Sequence, residues 1–491
     1  MDKEAILENS IQDLKARKQQ LMRVFVKGGI ISPGDLLKVI DISNKLGNKY
    51  VHFGSRQDIL FPATEHSRER LQEIFEPIQA DYYFADEEYQ NIMSSYVALD
   101  VMPNRQWLAP HIYHYILESF TYQPRLKVNL VDPLQSLVPL FTGNINFIAS
   151  SIPDYWYLYL RLDQFSTKPW RFPHLIYGLD IARISQAIEE IVHTEAFDNY
   201  VELHQKINER IKVHTQKIKE DLIYPAANFP YYEGMNRIEE GKYWLGLYWR
   251  NNKFNSAFLK GLCELCLETK IGKISLTPWK SFIVHGILEK DRFAWEKLLG
   301  KFGINMRHSS LELNWHLPVL DEEALELKNY LVRVLDQQDI STYGLTFTIN
   351  TQQDVVLFTS VVIEKNPRQG ANEPDTYNIL YSKDFNPNLS EYFYYAKNIH
   401  TEIIPPLLME LSRMYYDQLE SPENTLDQTT YSREEQKTKL IFQCTNCMTI
   451  YDEDFGDELA GIAKGIPFAQ LPPDYCCSLC GSPKSSFRQV T

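Results

Sequence analysis

Apolar positions in the first part of the chain follow a helical spacing twice and then an extended one. Asp2–Arg23 carries apolar residues at near-helical intervals, and Gly28 and Gly29 follow it. Leu36–Leu46 repeats the helical spacing, and Tyr50–Phe61 reads as an extended segment. Because glycine commonly ends a helix and the two structures differ in their apolar period, we predict a helix, a second helix and a strand in that order.

A similar helix–strand stretch occurs again in the middle of the chain. Ala257–Leu267 has helical spacing, Gly272 follows, and Lys273–Val284 reads as a strand. The two extended segments begin 223 residues apart, at Tyr50 and Lys273. This separation is too long for a solenoid repeat and suits a duplicated domain. Two unrelated helix–strand units would give the same residues, so both readings stay open.

The rest of the chain before residue 418 mixes helices and strands. Apolar alternation in Leu345–Ile349 and Val355–Ile363 predicts strands, and Ala324–Leu335 has helical spacing. We therefore assign this region to the α+β class. Gln418–Lys439 is polar, charged and nearly free of large apolar residues. Because such a composition cannot bury enough surface to fold, it predicts a flexible linker.

Composition and charge narrow the class of protein. The chain has 491 residues and a mass of 57.5 kDa, a length typical of about three domains. Its net charge of −14 argues against nucleic acid as a partner, since phosphate binding requires clustered lysine and arginine. No apolar run reaches the roughly 18 residues of a membrane span. Met1–Arg17 is charged and lacks the apolar core of a secretion leader, so we expect a cytoplasmic protein.

Seven cysteines are distributed unevenly, and five of them lie in the last 48 residues. Cys444 and Cys447 form one Cys-x-x-Cys pair, and Cys477 and Cys480 form another. Four thiolates on two short turns make a closed tetrahedral cage that suits zinc or iron. A unit of about 50 residues is too small to depend on its apolar core, so the ion is also expected to fold it. The spacing alone leaves zinc and iron open.

The residues between the two pairs resemble those of rubredoxins. Ile450–Tyr475 reads IYDEDFGDELAGIAKGIPFAQLPPDY, and Cys477 begins the segment CSLCGSPK. The matching family elements are Tyr-Asp, Gly-Asp, Gly-Ile-x-x-Gly, Pro-Phe, Leu-Pro-x-Asp-aromatic and Cys-x-x-Cys-Gly-x-x-Lys. The resemblance implies that the four cysteines hold one iron that alternates between the ferric and ferrous states. It also implies an aromatic core beneath the metal, formed by Tyr451, Phe468, Tyr475 and Phe487.

Three positions depart from the rubredoxin pattern. Met448 stands where the family usually has Gly, Ser478 where it has Pro, and Tyr475 where it has Trp. Losing the Gly would strain a left-handed backbone position, and the three changes together would shift the potential while leaving all four ligands. Cys476 falls on an apolar position of the family, so we predict a small buried hydrophobe there rather than a ligand.

The preceding body resembles the ferredoxin-like half-domains of sirohaem-dependent nitrite and sulfite reductases over about residues 20–415. The resemblance rests on Arg56-Gln57 in the first copy and on Gly272 and Leu276–Lys280 in the second. Between the copies, Gln90–Met93 and Gln123–Val128 stand where that family carries its Asn-Ile and Pro-x-Lys-x-Lys segments. The implied fold is a duplicated ferredoxin-like half-domain body of the sirohaem-reductase type.

The same resemblance implies that basic side chains of the body bind the carboxylates of sirohaem and an anionic substrate. Pairing with carboxylates would give these side chains a reason to face a cleft, and ordinary surface charge is the alternative. By position, the candidates are Arg56, Arg125, Lys127 and Lys280. His52 is a candidate axial ligand if a tetrapyrrole is retained, with a structural role as the alternative.

The four-iron cluster of that family has no counterpart here. The family binds it through four cysteines after the second half-domain, whereas this chain has no cysteine between Leu267 and Leu440. Cys263 and Cys266 precede that segment and share one helix face, and we interpret them as packed thiols rather than a metal pair. We therefore expect neither a four-iron cluster nor six-electron reduction by the family's mechanism.

These features predict five segments. They are an N-terminal helix at 1–27, reductase-like repeats at 28–225 and 226–417, the linker at 418–439 and a rubredoxin-like iron domain at 440–491. We expect an electron-transfer protein, with no catalytic residue assigned, that supplies electrons from one iron to a redox partner, a reductase. The resemblance of the body implies that this partner acts in nitrite or sulfite assimilation. The tail has six acidic against three basic residues, which favours a partner with a basic face.

Two alternative functions remain. In the first, the body retains a sirohaem-like cofactor without the four-iron cluster and reduces an oxyanion with electrons from the tail. In the second, the protein is a non-redox scaffold whose tail is folded by a structural zinc ion.

Overall fold

The fold is described from a computed structural model. The described residues are 21–63, 68–76, 81–84, 87–102, 108–162, 164–165, 168–225, 229–239, 241–305, 312–351, 357–367, 374–419, 441–447, 449–452 and 456–489. The chain divides into two compact units, Met1–Tyr415 and Tyr416–Thr491, which we call the body and the C-terminal unit. Within these described ranges, no helix is long and apolar enough to cross a membrane.

Two antiparallel sheets of the body exchange a strand with each other. In spatial order, the strands of the first sheet are Phe254–Asn255, Tyr50–Phe53, Ile59–Pro62, Leu21–Val24 and Tyr82–Phe84. Those of the second sheet are Gly234–Glu239, Lys242–Tyr248, Ser281–Leu288, Ile274–Leu276 and Ile30–Ile31. Each sheet therefore takes one edge strand from the other half of the sequence.

The other two sheets of the body combine parallel and antiparallel pairing. The strands of the third sheet are Met93–Ser94, Val128–Val131, Ile145–Ala149, Tyr155–Leu160, His174–Tyr177 and Thr215–Lys217, with Trp170–Arg171 beside Tyr155–Leu160. Those of the fourth sheet are Trp315–His316, Phe347–Asn350, Val361–Lys365, Thr376–Ser382 and Tyr392–His400. In both sheets the first three strands are parallel and the later ones antiparallel.

Helices and strands alternate irregularly along the chain, as the predicted α+β class requires. The described helices are Pro33–Lys45, Arg68–Phe75, Pro110–Ser119, Ile181–Thr194, Tyr200–Arg210, Ser256–Glu268, Arg292–Lys301, Glu322–Gln337 and Ile404–Leu419. Side-chain caps begin the corresponding helices of the two repeats. The Ser32 hydroxyl accepts from the Asp35 N–H at 3.0 Å, and the Asn255 amide oxygen accepts from the Ala257 N–H at 2.9 Å. Both helices bury their apolar faces in one core with the first two sheets.

The duplication inferred from the sequence is visible in the backbone. Four pairs of residues adopt the left-handed conformation, and the members of each pair are 223 residues apart. The pairs are Gly28 with Asn251, Gly29 with Asn252, Gly47 with Lys270, and Gln57 with Lys280. Because this conformation is unfavourable for residues other than glycine, its recurrence at one spacing indicates the same turns in both halves. The reading as two unrelated units is therefore wrong.

The predicted N-terminal helix at 1–27 is wrong at its end. Leu21–Val24 is a strand in the middle of the first sheet, and residues 1–20 lie outside the described part of the chain. All four strand residues are buried, and Arg23 pairs with Asp58 at 3.0 Å. A strand buried on both faces has no two-residue alternation, so its pattern does not distinguish it from a helix.

At the boundary between the body and the predicted linker, helix Ile404–Leu419 extends two residues into the linker, which otherwise lies outside the described residues.

The C-terminal unit has a three-stranded antiparallel sheet over an aromatic core. In spatial order, its strands are Ile450–Asp452, Ile441–Cys444 and Phe487–Gln489. The predicted aromatic residues do pack together: Tyr451, Phe468 and Tyr475 are buried, and Phe487 is half-buried against them. The Phe468 and Phe487 ring centres are 5.4 Å apart. This core is small, so the unit depends on further stabilisation.

Asn252 joins the two halves of the body, and we expect its replacement to destabilise them. Its Oδ1 accepts from the Phe53 N–H at 2.9 Å, and its Nδ2 donates to the Phe53 carbonyl at 2.8 Å. Asn252→Ala removes both hydrogen bonds and leaves alanine at φ 53°. The free energy of unfolding, measured by denaturant titration, should therefore fall by about 2–4 kcal/mol.

Asn251→Gly is the matched control for this change. Asn251 is also left-handed, and its Oδ1 makes no hydrogen bond to a described residue. Glycine adopts this conformation without strain, so the control should keep or slightly raise the free energy of unfolding. If the free energy of unfolding falls no further in Asn252→Ala than it changes in Asn251→Gly, Asn252 does not stabilise the contact between the two halves.

Candidate functional site

The two Cys-x-x-Cys pairs converge in the C-terminal unit. The sulfur atoms of Cys444, Cys447, Cys477 and Cys480 all lie within 4.8 Å of one another. The Cys444–Cys480 and Cys447–Cys477 sulfur distances are 3.7 Å and 3.5 Å. For metal–sulfur bonds of about 2.3 Å, tetrahedral geometry places the sulfurs about 3.8 Å apart. The donor set therefore fits one tetrahedral ion.

The two cysteine turns close in the same way. The N–H of Cys444 donates to the Thr449 carbonyl at 2.8 Å, and the N–H of Cys477 donates to the Ser482 carbonyl at 2.7 Å. In each turn the first cysteine is buried and the second is more exposed. Gly481 has φ 69°, which lets the second turn close without backbone strain. The cage thus has an inner and an outer pair of sulfurs.

Two hydroxyl groups lie beside the outer sulfurs. Thr449 Oγ1 is 3.1 Å from Cys447 Sγ, and Ser482 Oγ is 3.0 Å from Cys480 Sγ. The side-chain N–H of Asn446 donates to Ser482 Oγ at 2.8 Å. The hydrogen bond from Thr449 is the largest of the interactions that lower the pKa of Cys447 to about 6. This thiol therefore loses its proton readily, as a metal ligand must.

The prediction that Cys476 is a buried hydrophobe is wrong. Cys476 is exposed, and its thiol donates to the Asp474 carbonyl at 3.4 Å. Its neighbours Tyr475 and Cys477 are buried. Successive side chains of an extended segment point in opposite directions, so packing Tyr475 into the core and Cys477 into the cage turns Cys476 to solvent.

Arg56, the first of the predicted cofactor ligands, is buried and bound to protein atoms. Its Nη1 donates to Asn129 Oδ1 at 2.6 Å, and its Nη2 donates to the Asn91 and Val128 carbonyls, both at 2.8 Å. Only Nε lacks a hydrogen-bond partner among the described residues. Arg56 therefore holds the first and third sheets together, and its role toward a cofactor stays a prediction.

Arg125 and Lys127 lie on either side of residue 126 in different surroundings. Arg125 is exposed, with its guanidinium 3.8 Å from a Glu88 oxygen and above the Tyr89 ring. Lys127 is half-buried, and its backbone N–H donates to Asn144 Oδ1 at 3.0 Å. Lys127 directly precedes Val128, whose carbonyl binds Arg56, whereas the Arg125 side chain lies at the surface. Their roles as cofactor ligands also stay predictions.

Lys280 is the most unusual of the four candidates. It lies in the turn between strands Ile274–Leu276 and Ser281–Leu288, is 7% exposed, and makes no hydrogen bond to a described residue. Burial first, and then the charge of Lys328, lower the pKa of Lys280 to about 7. The titratable and charged groups around it are His52, Asp58, His316, Asp321 and Lys328.

His316 is a second buried group near Lys280 that the sequence did not single out. Burial first, and then the charge of Lys280, hold the pKa of His316 well below its ordinary value. Its Nδ1 has no hydrogen-bond partner among the described residues, and its ring contacts Phe358 edge-on. By contrast, the buried Lys328 pairs with Glu312 at 2.7 Å. The second half of the body thus holds one buried lysine with a carboxylate partner and one without.

His52 and the two helix cysteines have structural surroundings. His52 Nδ1 donates to the Asn252 carbonyl at 2.6 Å, and burial lowers the pKa of His52 to about 4. Cys263 and Cys266 lie on helix Ser256–Glu268 and are buried in the core that this helix shares with the first two sheets. Burial raises the pKa of both thiols, that of Cys266 to about 12. The two cysteines are packed thiols, as predicted.

Fold and site together define a metal–thiolate domain joined to a duplicated α+β body. Residues 441–487 match the family described as Rubredoxin. "High molecular weight rubredoxin" of Moorella thermoacetica is 42% identical over 81 residues, which are 16% of this chain and 35% of that protein. "Probable rubredoxin HupI" of Bradyrhizobium diazoefficiens is 46% identical over 48 residues, which are 10% of this chain and 70% of that protein. Through this domain the chain belongs to the rubredoxin family, with one iron in a four-cysteine site.

The body has relatives of its own. Residues 13–78 match the family described as Nitrite/Sulfite reductase ferredoxin-like half domain. The solved structure of the Mycobacterium tuberculosis NirA protein matches with a TM-score of 0.60 and 13% identity, covering 80% of each chain. At this identity the likeness shows the fold alone. The predicted fold, a duplicated half-domain body with a small iron domain, is confirmed.

Three residues at the metal site escaped the sequence analysis: Asn446, Thr449 and Ser482. A signal for two of them was present, because a hydroxyl residue stands two positions after the second cysteine of both pairs. Asn446 had no such signal, since its contact depends on how closely the two turns approach. His316 was also missed, because the sequence around a single histidine does not show that it lies near Lys280 in the folded chain.

Removing Lys280 should change how the stability of the body depends on pH. The pKa of Lys280 falls from an ordinary 10.5 to about 7 on folding. Between these values the unfolded chain holds one more proton than the folded body, so this group makes the free energy of unfolding rise with pH. The contribution is about 1.4 kcal/mol per pH unit, and Lys280→Met should lose it. Denaturant titrations near pH 7 and near pH 10 give the pH slope of the free energy of unfolding for the native protein and for Lys280→Met.

Lys270→Met is the matched control, because Lys270 is also left-handed but exposed. This variant should keep the pH slope of the native protein, because it leaves Lys280 in place. Equal slopes in the native protein and in Lys280→Met would contradict the assignment of a desolvated lysine.

Proposed function

We propose that the protein is a one-electron carrier whose redox centre is the iron of its rubredoxin domain. The observation that carries this proposal is the convergence of four cysteine sulfurs within 4.8 Å. A closed four-thiolate cage leaves no coordination position for a substrate. The metal can therefore change its oxidation state but cannot bind a reactant, which favours electron transfer over catalysis at the iron.

The proposed ligands are the two cysteines of each turn. Cys444, Cys447, Cys477 and Cys480 supply one sulfur each, and Cys476 is left out because its thiol is exposed and donates to a backbone carbonyl. The relatives that share this domain are rubredoxins, which supports iron over zinc as the working metal. Thiolate cages accept both ions, so the metal content of the isolated protein must be measured.

In this proposal the body serves as the part that binds the acceptor or a partner carrying it. Covalent attachment keeps the iron domain at a high effective concentration near any acceptor bound to the body. The match of residues 13–78 to nitrite and sulfite reductase half-domains supports an acceptor in the reduction of such oxyanions. This chain spans 35% of the high molecular weight rubredoxin of Moorella thermoacetica, so the donor and acceptor of that protein are not transferred to this chain.

A second candidate function is anion or tetrapyrrole binding by the body, followed by oxyanion reduction with electrons from the iron domain. The observation that favours it is the unpaired, buried Lys280. A buried ammonium without a partner is destabilising, and a bound carboxylate or oxyanion would relieve the cost. Arg56 would contribute only its Nε, because its other donors already bind protein atoms.

The iron centre should give a reversible absorption change that depends on the caged cysteines. In the full-length protein reconstituted with iron, thiolate charge-transfer bands should bleach on one-electron reduction and return on oxidation. Cys477→Ser removes one sulfur from the cage, so the bands should be lost or displaced and iron affinity should fall by at least about tenfold. Absorption spectroscopy with metal analysis measures both effects.

Cys476→Ser is the control for this experiment, because it changes the neighbouring thiol outside the cage and should leave the bands intact. A colourless protein with one zinc per chain after iron reconstitution would refute the electron-carrier proposal. Additional tetrapyrrole bands in the native protein would support the cofactor binding of the second candidate, and none of these outcomes depends on knowing the partner.

Charge should control the rate at which the reduced protein meets an acceptor. The tail has six acidic against three basic residues. Electron transfer to a basic acceptor protein such as cytochrome c, followed by stopped-flow absorption, should therefore slow as salt screens the attraction. Ferricyanide, an anion, is the control and should show the opposite trend. A rate to cytochrome c that is independent of salt would exclude steering by the acidic domain.

A further inference from the structure

We propose that the hydroxyl groups of Thr449 and Ser482 raise the reduction potential of the iron centre by donating hydrogen bonds to the outer sulfurs, and that Asn446 is a positioning residue that orients the Ser482 hydroxyl. The inference rests on the proposed electron-carrier function and deepens it, since it assigns to side chains of this chain the control of the energy at which the electron is held.

The two hydroxyls occupy equivalent places in the two turns. Each stands two positions after the second cysteine of its pair and approaches that cysteine's sulfur, at 3.1 Å from Thr449 and 3.0 Å from Ser482. Both distances are short for a hydrogen bond to sulfur, which is a larger acceptor than oxygen. Another hydroxyl of the first turn behaves differently, because Thr445 Oγ1 donates to the Ser486 carbonyl at 2.9 Å. Proximity to the cage therefore does not by itself direct a hydroxyl toward sulfur.

The direction of these hydrogen bonds follows from the chemistry of the partners. A metal-bound thiolate has no proton to donate, so the hydroxyl must be the donor. Ser482 Oγ already accepts a hydrogen bond from Asn446 Nδ2 at 2.8 Å. Its own proton is therefore free to point at Cys480 Sγ. Because Asn446 belongs to the first turn and Ser482 to the second, this contact fixes the hydroxyl relative to both turns.

The effect on the potential follows from the charge of the cage. One ferrous ion with four thiolates carries one more negative charge than the ferric form. A donor near sulfur stabilises the more negative form more strongly, so it raises the potential. Water can also approach the outer sulfurs, but it must reorient when the charge changes. A hydroxyl that is held by the fold is aligned in both states and avoids this reorganisation.

Removing each hydroxyl should lower the potential of the intact, iron-loaded chain. Thr449→Val and Ser482→Ala should each decrease the equilibrium constant for reduction about threefold to tenfold, where tenfold corresponds to about 59 mV for one electron. The charge-transfer bands should shift in the same variants. Thr449→Ser and Ser482→Thr keep the hydroxyl and should keep the native potential and spectrum. Spectroelectrochemical titration measures both quantities.

Asn446→Ala tests the positioning role separately. It should lower the potential less than Ser482→Ala does, because the serine hydroxyl remains but is no longer held in place. In the Ser482→Ala background it should have no further effect, since there is no hydroxyl left to orient. An additional decrease in the double variant would show that Asn446 acts by another route and would overturn this part of the proposal.

Thr445→Val and Ser478→Ala are the matched controls. Thr445 Oγ1 donates to the Ser486 carbonyl and Ser478 is exposed, so removing either hydroxyl should leave the potential unchanged. If Thr449→Val and Ser482→Ala have the same reduction potential as these controls, the inference is overturned. If either hydroxyl variant fails to retain iron, the potential of the remaining variant is compared with that of the control in the same turn, and this comparison tests the inference. A native protein without any reversible couple would instead refute the proposed function, so the two failures are distinguishable.

Discussion

Repulsion among four thiolates is the constraint on which the C-terminal unit depends. Their sulfur atoms lie within 4.8 Å of one another, and thiolates at that distance repel strongly unless a cation lies between them. Among the described residues of this unit, the apolar core beneath them has four buried members, Tyr451, Phe468, Leu471 and Tyr475. A bound cation removes this repulsion, whereas without it the sulfurs must keep protons to lie so close together. We therefore expect metal binding to stabilise the folded form of this unit.

In the body, the duplication has kept the backbone of a turn while its chemistry has diverged. Gln57 and Lys280 have the same left-handed conformation at equivalent positions. The Gln57 side chain exchanges two hydrogen bonds with the backbone of Ser94, at 3.0 Å and 2.9 Å. Lys280 places a buried cation in the corresponding turn instead. The side chain in the first copy of the turn therefore stabilises the fold, whereas the side chain in the second copy is a titratable amine.

The sequence predicted the features that depend on spacing and missed those that depend on proximity. The 223-residue repeat, the helix over Leu36–Leu46 and the two Cys-x-x-Cys pairs all leave a regular pattern in the chain. The strand Leu21–Val24 leaves none, because it is buried on both faces. Cys476 was assigned by family position, but its direction is set by its buried neighbours. The engagement of Arg56 with Asn129 and two carbonyls likewise arises only when distant segments meet.

The reciprocal exchange of edge strands has a consequence for biosynthesis. The strand Tyr50–Phe53 leaves the ribosome long before Phe254–Asn255, the segment that completes its edge. Until then the nascent first half carries an open row of backbone donors and acceptors, which is a template for pairing with other chains. Ile30–Ile31 must also wait for Ile274–Leu276. The first half therefore cannot complete its edge pairing until the second half has been synthesised, whereas the second half finds its partner strand already present.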